Sequence, residues 1–468
     1  MVFSSLVFLF LFLPVTVLVY YGSPRKLRNA ILLVASLIFY AWGEPVYIVI
    51  MVFSTVFDYF NGLLIDKYRH RKPVAMTIFI TSLVGNLGIL GFFKYGGFVI
   101  DNVNQLFHLH MRMTDLPLPV GISFYTFQTM SYVVDVYLGK VQAQRNIIAF
   151  GTYVAMFPQL VAGPIVKYGD IAGQLTSRRV TLDRFGEGAE LFIRGLAKKV
   201  LLANNIGWLW TSVKAEPVAE LSVLSAWLGI IAFTLQIYFD FSGYSDMARG
   251  LGKMFGFDFM PNFRYPYTSR SVTEFWRRWH ISLGTWFREY VYIPLGGNRH
   301  GMMKQLRNVL AVWFLTGLWH GASWNFIVWG LYFGCFVMIE KLFLLRWLGR
   351  SPVVVRHAYT LLIVIIGWVV FEMEQLASAW RFISVMFGFG GHAFADRQAL
   401  YDLSANAVLL VVLALCATPL PGKALTYMKQ RWRTAGVIVT PLVYVLFMVL
   451  STAYLVDATY NPFLYFRF

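Results

Sequence analysis

The sequence predicts an all-α, polytopic integral membrane fold, and three observations predict it. Of 468 residues, 58% are hydrophobic and only 13% are charged, whereas a soluble domain carries about a quarter charged residues. Apolar stretches approaching the roughly 20 residues of a membrane span recur about ten times from end to end, which leaves no room for a large soluble domain. The third observation is where the charge falls. Lys and Arg give a net charge of +17, but they lie in short clusters between the apolar stretches, as in the cytoplasmic loops of membrane proteins. The positive charge is therefore assigned to topology, and the partner it implies is a lipid bilayer rather than nucleic acid.

Taken in order, the apolar stretches cover residues 3–21, 29–43, 46–65, 74–93, 117–138, 147–166, 187–206, 220–241, 309–339, 356–374, 404–419 and 434–454. Some are too short or too broken to cross, so about ten or more transmembrane helices are expected together with re-entrant or interfacial ones. The first stretch, Phe3 to Tyr21, has no basic residue ahead of it and no small-residue cleavage site behind it. It reads as a retained helix rather than a signal peptide. Basic clusters at Arg25, Lys26 and Arg28, at Lys67 to Lys72, at Lys341 to Arg350 and at Lys423 to Arg433 mark the cytoplasmic side. Both termini are then expected outside. Cys335 and Cys416 sit inside apolar stretches without metal-ligand spacing, so neither a disulfide framework nor a zinc site is indicated.

Between Asp240 and Arg307 the chain mixes charges, glycines and prolines with aromatics, too polar for a plain span. Thr273 to Tyr290 nevertheless has a helical pattern, with Phe275, Trp279, Leu283, Trp286 and Tyr290 recurring at steps of four, four, three and four. Arg277, Gly284 and Arg288 fall on another face. The pattern predicts one interfacial helix, its aromatic side in lipid or protein and its arginines toward water or phosphate. Pro294, Gly296 and Gly297 then punctuate a turn.

The most informative titratable residue is His320. From Asn308 to Ile339 there is no Lys, Arg, Asp or Glu, and His320 stands near the centre in Gly-Leu-Trp-His-Gly-Ala-Ser-Trp-Asn, residues 317–325. At about 1.5 Å per residue an unbroken helix of that length would overshoot a ~30 Å core, so a break at Gly321 to Ser323 is expected, with His320 near its apex. An ionisable group inside such a stretch faces a cavity or a partner as a rule, and a functional role is the default expectation. His280, beside Arg277 and Arg278, is a weaker candidate, because interfacial His and Trp often only anchor a helix. Two imidazoles nevertheless suit acyl transfer, one taking a hydroxyl proton and the other orienting or polarising the reacting groups. Asp240 and Asp246 are six residues apart and do not share a helical face, so ion pairing with the arginines that follow is expected of them. Lys94 and Tyr95 read as a membrane boundary, and His70, His108, His110 and His300 as solvent-exposed loop residues. Neither a phosphate-cradling glycine loop nor a His-Glu-x-x-His metal motif occurs, so an ATP-driven pump is disfavoured and no bound metal is expected.

Several strings carry a resemblance. Phe39-Tyr-Ala-Trp42, Leu116 to Tyr125 (LPLPVGISFY), Tyr238 to Met247 (YFDFSGYSDM), Thr273 to Leu283 (TEFWRRWHISL), Leu295 to Asn298 (LGGN) and Gly317 to Ala322 (GLWHGA) together resemble the membrane-bound O-acyltransferase superfamily, in its bacterial alginate-acetylating branch. The resemblance implies one transmembrane domain over residues 1–468 with a catalytic core at about 116–340, built around a tunnel. His320 matches the family's catalytic histidine, and His280 its second signature position. It further implies acetyl transfer from a cytoplasmic donor, acetyl-CoA, across the inner membrane to a secreted polysaccharide, directly or through a periplasmic partner protein. Arg277, Arg278 and Arg288 are the candidates to hold the donor's phosphates, and Trp319, Gly321, Asn325, Asp240 and Tyr244 to line the tunnel. No permanently bound cofactor is implied. Residues after about Gln375 carry fewer signatures, which leaves the polymer open between alginate and cellulose. Other classes remain: an acyltransferase for D-alanyl-teichoic acid, protein or lipid, a proton-coupled acyl-sugar transporter, and a non-catalytic synthase scaffold.

Overall fold

The computed structural model describes residues 1–112, 116–160, 163–431, 433–457 and 463–464, and all regular structure among them is helical. Among the described residues, seven helical stretches are long and apolar enough to cross a membrane: Ile48–Lys67, Lys72–Phe107, Val223–Met254, Trp324–Arg350, Val353–Glu372, Arg397–Cys416 and Ile438–Asp457. Phe8–Gly22 and Leu376–Met386 are shorter apolar helices. Of the tail after Asp457, expected on the outer side, only Phe463 and Leu464 lie within the described residues.

The chain divides into two compact units, one of residues 1–192 and 245–260, the other of residues 193–244 and 261–468. In the first, Ile48–Lys67 packs on Ile122–Tyr137 and Lys72–Leu90, and Arg28–Ala41 packs on Ile147–Ala155. Its core includes a cluster of phenylalanine rings, Phe8 on Phe39 at 5.8 Å and Phe39 on Phe157 at 5.6 Å. Asp58 is buried there, accepting from Ser82 Oγ at 2.6 Å and from Asn86 Nδ2 at 2.8 Å, which supplies the hydrogen bonds a carboxyl group needs away from water.

In the second unit a helical hairpin, Met302–His320 and Trp324–Ile339, packs on Val353–Glu372. The hairpin is closed by glycines. A Cβ on Gly317 would lie 2.4 Å from the carbonyl oxygen of Phe326, and one on Gly330 would lie 2.3 Å from that of Trp313. Only glycine lets the two backbones come this close. The break expected at Gly321 to Ser323 is present, because the first helix ends at His320 and Ser323 is already extended as the N-cap of the next.

Two readings of the sequence need correction. Lys94 and Tyr95 do not end a helix: the chain passes through a π-helical turn, Gly91–Tyr95, and continues as a helix to Phe107. The Lys94 amine donates to Ser123 Oγ at 3.4 Å, so a protein hydroxyl meets it inside the span. Nor does the apolar helix end near Asp240, where the sequence turns too polar for a plain span, since Val223–Met254 is one helix. Its polar, glycine-rich half is an interior packing surface. A Cβ on Gly243 would lie 2.7 Å from the Gly195 carbonyl oxygen, and one on Gly250 would lie 2.5 Å from that of Gly188.

Candidate active site

The stretch expected as one interfacial helix is two, Val272–Arg278 and Ile281–Phe287, broken at Trp279 and His280. The aromatic spacing misled because it continues in register across the break. Ser271 caps the first helix, its hydroxyl accepting the Glu274 N–H at 3.0 Å. The buried carboxylate of Glu340 completes the cap, accepting the N–H groups of Val272 at 2.6 Å and Thr273 at 2.8 Å, where a helix N-terminus favours negative charge.

His280 holds the break in the left-handed region, at φ 45° and ψ 55°. A non-glycine residue there costs about 1–3 kcal/mol and persists only where its surroundings determine it. Here they do. Backbone bonds from Arg264 N–H to the Arg278 carbonyl (3.0 Å) and from Ile281 N–H to the Asn262 carbonyl (2.9 Å) fix both sides of the break. Asn262 Oδ1 accepts the Ser282 N–H at 3.1 Å and the Ser282 hydroxyl at 3.0 Å, and stands 3.2 Å from His280 Nδ1. An amide oxygen only accepts, so Nδ1 carries the ring proton and Nε2 carries the lone pair. His280 lies outside the seven spans, and its burial pushes the imidazole pKa down to about 3. The ring is neutral at physiological pH.

His320 ends the Met302–His320 helix and is buried among aromatic rings, edge-on to Trp329 at 4.9 Å and to Phe371 at 5.3 Å. Trp319 joins the two histidines, since its ring meets His280 at 5.9 Å and His320 at 5.1 Å, both edge-on. The Trp329 indole N–H, fully buried beside His320, meets no acceptor among the described residues. Asn325 pins the hairpin turn: its amide donates to the Met373 carbonyl at 3.0 Å and its oxygen accepts from Ser323 Oγ at 2.5 Å. Gly321 serves packing rather than open space, because a Cβ there would lie 2.2 Å from the Phe326 ring.

Of the three arginines, Arg278 is committed to Glu274 at 2.6 Å and to Thr268 Oγ1 at 3.0 Å. Arg277 and Arg288 are exposed. They lie on separate helices, so the common helical face expected of them does not exist. Asp246 pairs with Arg249 at 3.3 Å as expected, but Asp240 pairs upstream, with Lys199 at 2.5 Å. Tyr244 stacks on Phe463 at 4.6 Å. His70, His108, His110 and His300 are exposed. Sequence reasoning missed Asn262, Glu340 and Lys199. Each acts through a tertiary contact, and the one local signal was the Ser-x-x-Glu cap at Ser271 and Glu274, which marks the start of a helix whose N-terminus Glu340 then covers.

Comparison with known proteins bears on the family to which the chain belongs. The sequence profile of the membrane-bound O-acyltransferase family matches residues 141–376, a stretch that contains both histidines. The probable alginate O-acetylase AlgI of Azotobacter vinelandii is 43% identical over 89% of this chain and 84% of its own length. That of Pseudomonas putida is 41% identical over the whole of both chains, and the peptidoglycan O-acetyltransferase of Helicobacter pylori is 32% identical over 84% of this chain and 80% of its own. With a profile match over half its length and relatives this similar along nearly all of it, the chain belongs to the membrane-bound O-acyltransferase family, as a multi-pass membrane O-acyltransferase.

Proposed function

We propose that this enzyme moves acetyl groups from cytoplasmic acetyl-CoA across the inner membrane for O-acetylation of a secreted polysaccharide, alginate being the favoured polymer because the most similar relatives described above carry that name. The observation that carries the reading is the pair of buried histidines sharing Trp319. His320 is the base that takes the acceptor hydroxyl proton, a role worth about 10²- to 10⁴-fold in rate. The hydroxyl oxygen attacks the thioester carbonyl, the C–S bond breaks, and the proton held by His320 passes to the departing thiolate. The Trp329 N–H is the donor to the carbonyl oxygen as negative charge develops on it. Neutral His280, with Nδ1–H held by Asn262, presents Nε2 as a fixed acceptor that orients the hydroxyl. Arg277 and Arg288 attract the donor's phosphates. The acceptor hydroxyl belongs to the sugar or to a periplasmic partner protein that relays the acetyl group. Both termini lie in the periplasm, and the Lys67–Lys72 and Lys423–Arg433 loops in the cytoplasm.

The test is reconstitution of the purified chain in lipid vesicles with acetyl-CoA, oligomannuronate and periplasmic extract. Acceptor-dependent release of free coenzyme A thiol is the expected result. No release above vesicles lacking the protein would favour a transporter over an enzyme.

A further inference from the structure

Asp240 and Lys199 form an ion pair almost wholly removed from water, with side chains 2% and 4% exposed and 2.5 Å apart. Such a pair adds little stability beyond what apolar packing would give, so what its atoms hold in place matters more than the pairing itself. The second oxygen of Asp240 shows what that is. Oδ2 accepts the backbone N–H of Leu464 at 2.8 Å, fixing a piece of the C-terminal tail against the Val223–Met254 helix. The neighbouring Phe463 is 2% exposed, stacked on Tyr244 at 4.6 Å and edge-on to Phe241 at 6.0 Å. Phe241 in turn stands edge-on to the His280 ring, 4.8 Å away at 87°. Tyr244 follows Asp240 by four residues and Phe241 by three, the steps that bring side chains together on one helical side. An unbroken set of contacts therefore runs from the Lys199–Asp240 pair through Leu464 and Phe463 to Phe241 and the imidazole.

We propose that Phe463 and Leu464 form a positioning strap for the acyl-transfer site: Asp240 anchors the strap, Phe463 wedges Phe241, and Phe241 holds one side of the His280 ring while Asn262 holds its Nδ1–H. This rests on the reading of His280 and His320 as the reacting site. Phe463 touches no reacting atom, so it is a positioning residue. Its loss lets the imidazole rotate without altering donor attraction by Arg277 and Arg288.

The experiment compares Phe463→Ala, Phe463→Tyr, Asp240→Asn, the Phe463→Ala/Asp240→Asn double variant and His320→Ala, all as full chains in lipid vesicles. Turnover of acetyl-CoA is read beside protein amount. Phe463→Ala is expected to lower kcat about 10- to 100-fold, the scale of a small misplacement of a catalytic group, with KM for acetyl-CoA within about twofold of the parent. Phe463→Tyr keeps the ring and restores most of the turnover. Because Asp240 and Phe463 act through one strap, the double variant is expected to be no slower than the slower single variant. Should Phe463→Ala fail to accumulate, Phe463→Leu, which keeps bulk but not the ring, takes its place with the same expectation. Unchanged kcat in the Ala or Leu variant, or multiplied defects in the double, would overturn the strap. His320→Ala separates the two claims: activity there would refute the site reading, whereas inactivity there beside a fully active Phe463 variant would refute the strap alone.

Discussion

At the scale of single residues, the chemistry depends on which nitrogen of His280 holds the proton. Asn262 cannot turn its amide NH2 toward Nδ1 without losing the bond from the Ser282 backbone N–H, so the tautomer is fixed by the backbone. Burial keeps the ring neutral above about pH 3, and Nε2 therefore remains an acceptor throughout the physiological range. Asn262→Asp tests this directly. A carboxylate beside Nδ1–H favours the imidazolium and raises the pKa, so Nε2 becomes protonated at a higher pH than in the parent. The acid limb of the kcat profile should move upward in pH, with activity above the raised pKa largely kept. A limb that stays in place although the His280 ring, followed by NMR, titrates within the range of the profile would show that His280 need not be neutral. The residue scale is also where the sequence was least legible. His320 stood out because a lone titratable group in an apolar stretch is conspicuous, whereas Asn262 and Lys199 lie far from the groups they contact and have no local pattern to betray them.

The helical hairpin that carries His320 is set by its glycines, and its position was readable for a physical reason: residues 308–339 are too long to cross as one helix. The break at His280 was not readable, because its aromatic residues keep helical spacing on both sides of a single left-handed residue. The long helix through Asp240 was hidden for the opposite reason. Its buried carboxylate and serines look like a loop until Lys199 and the close glycine crossings are seen. Gly330→Ala would drive a methyl group toward the Trp313 carbonyl oxygen at 2.3 Å, a backbone atom that cannot swing away. Overpacking of this kind costs about 1–3 kcal/mol, and the loss should appear as a lower unfolding midpoint in detergent together with reduced turnover. Gly88→Ala is the control, since nothing lies within 4 Å of its Cβ position. It is expected to leave the midpoint unchanged or raise it. Equal behaviour of the two variants would contradict the account of the hairpin.

Over the whole molecule, apolar helices and basic loops made the membrane class evident from composition alone, and the proposed function adds a direction, donor from the cytoplasm and acceptor from the far side. Replacing Arg277 and Arg288 together should raise KM for acetyl-CoA more than it lowers kcat, because what is lost is attraction of phosphate rather than stabilisation of the transition state. The two side chains are exposed, so the effect should shrink at high salt. A defect in kcat alone would place the donor elsewhere. The central claim concerns His320, the one His, Asp, Glu, Lys or Arg between Arg307 and Glu340. Its most direct test is the acetyl content of secreted polymer from a strain carrying His320→Ala, measured beside an immunoblot of the membrane fraction. Loss of acetylation with the protein present at the parental level is the predicted result, and normal acetylation would contradict the account.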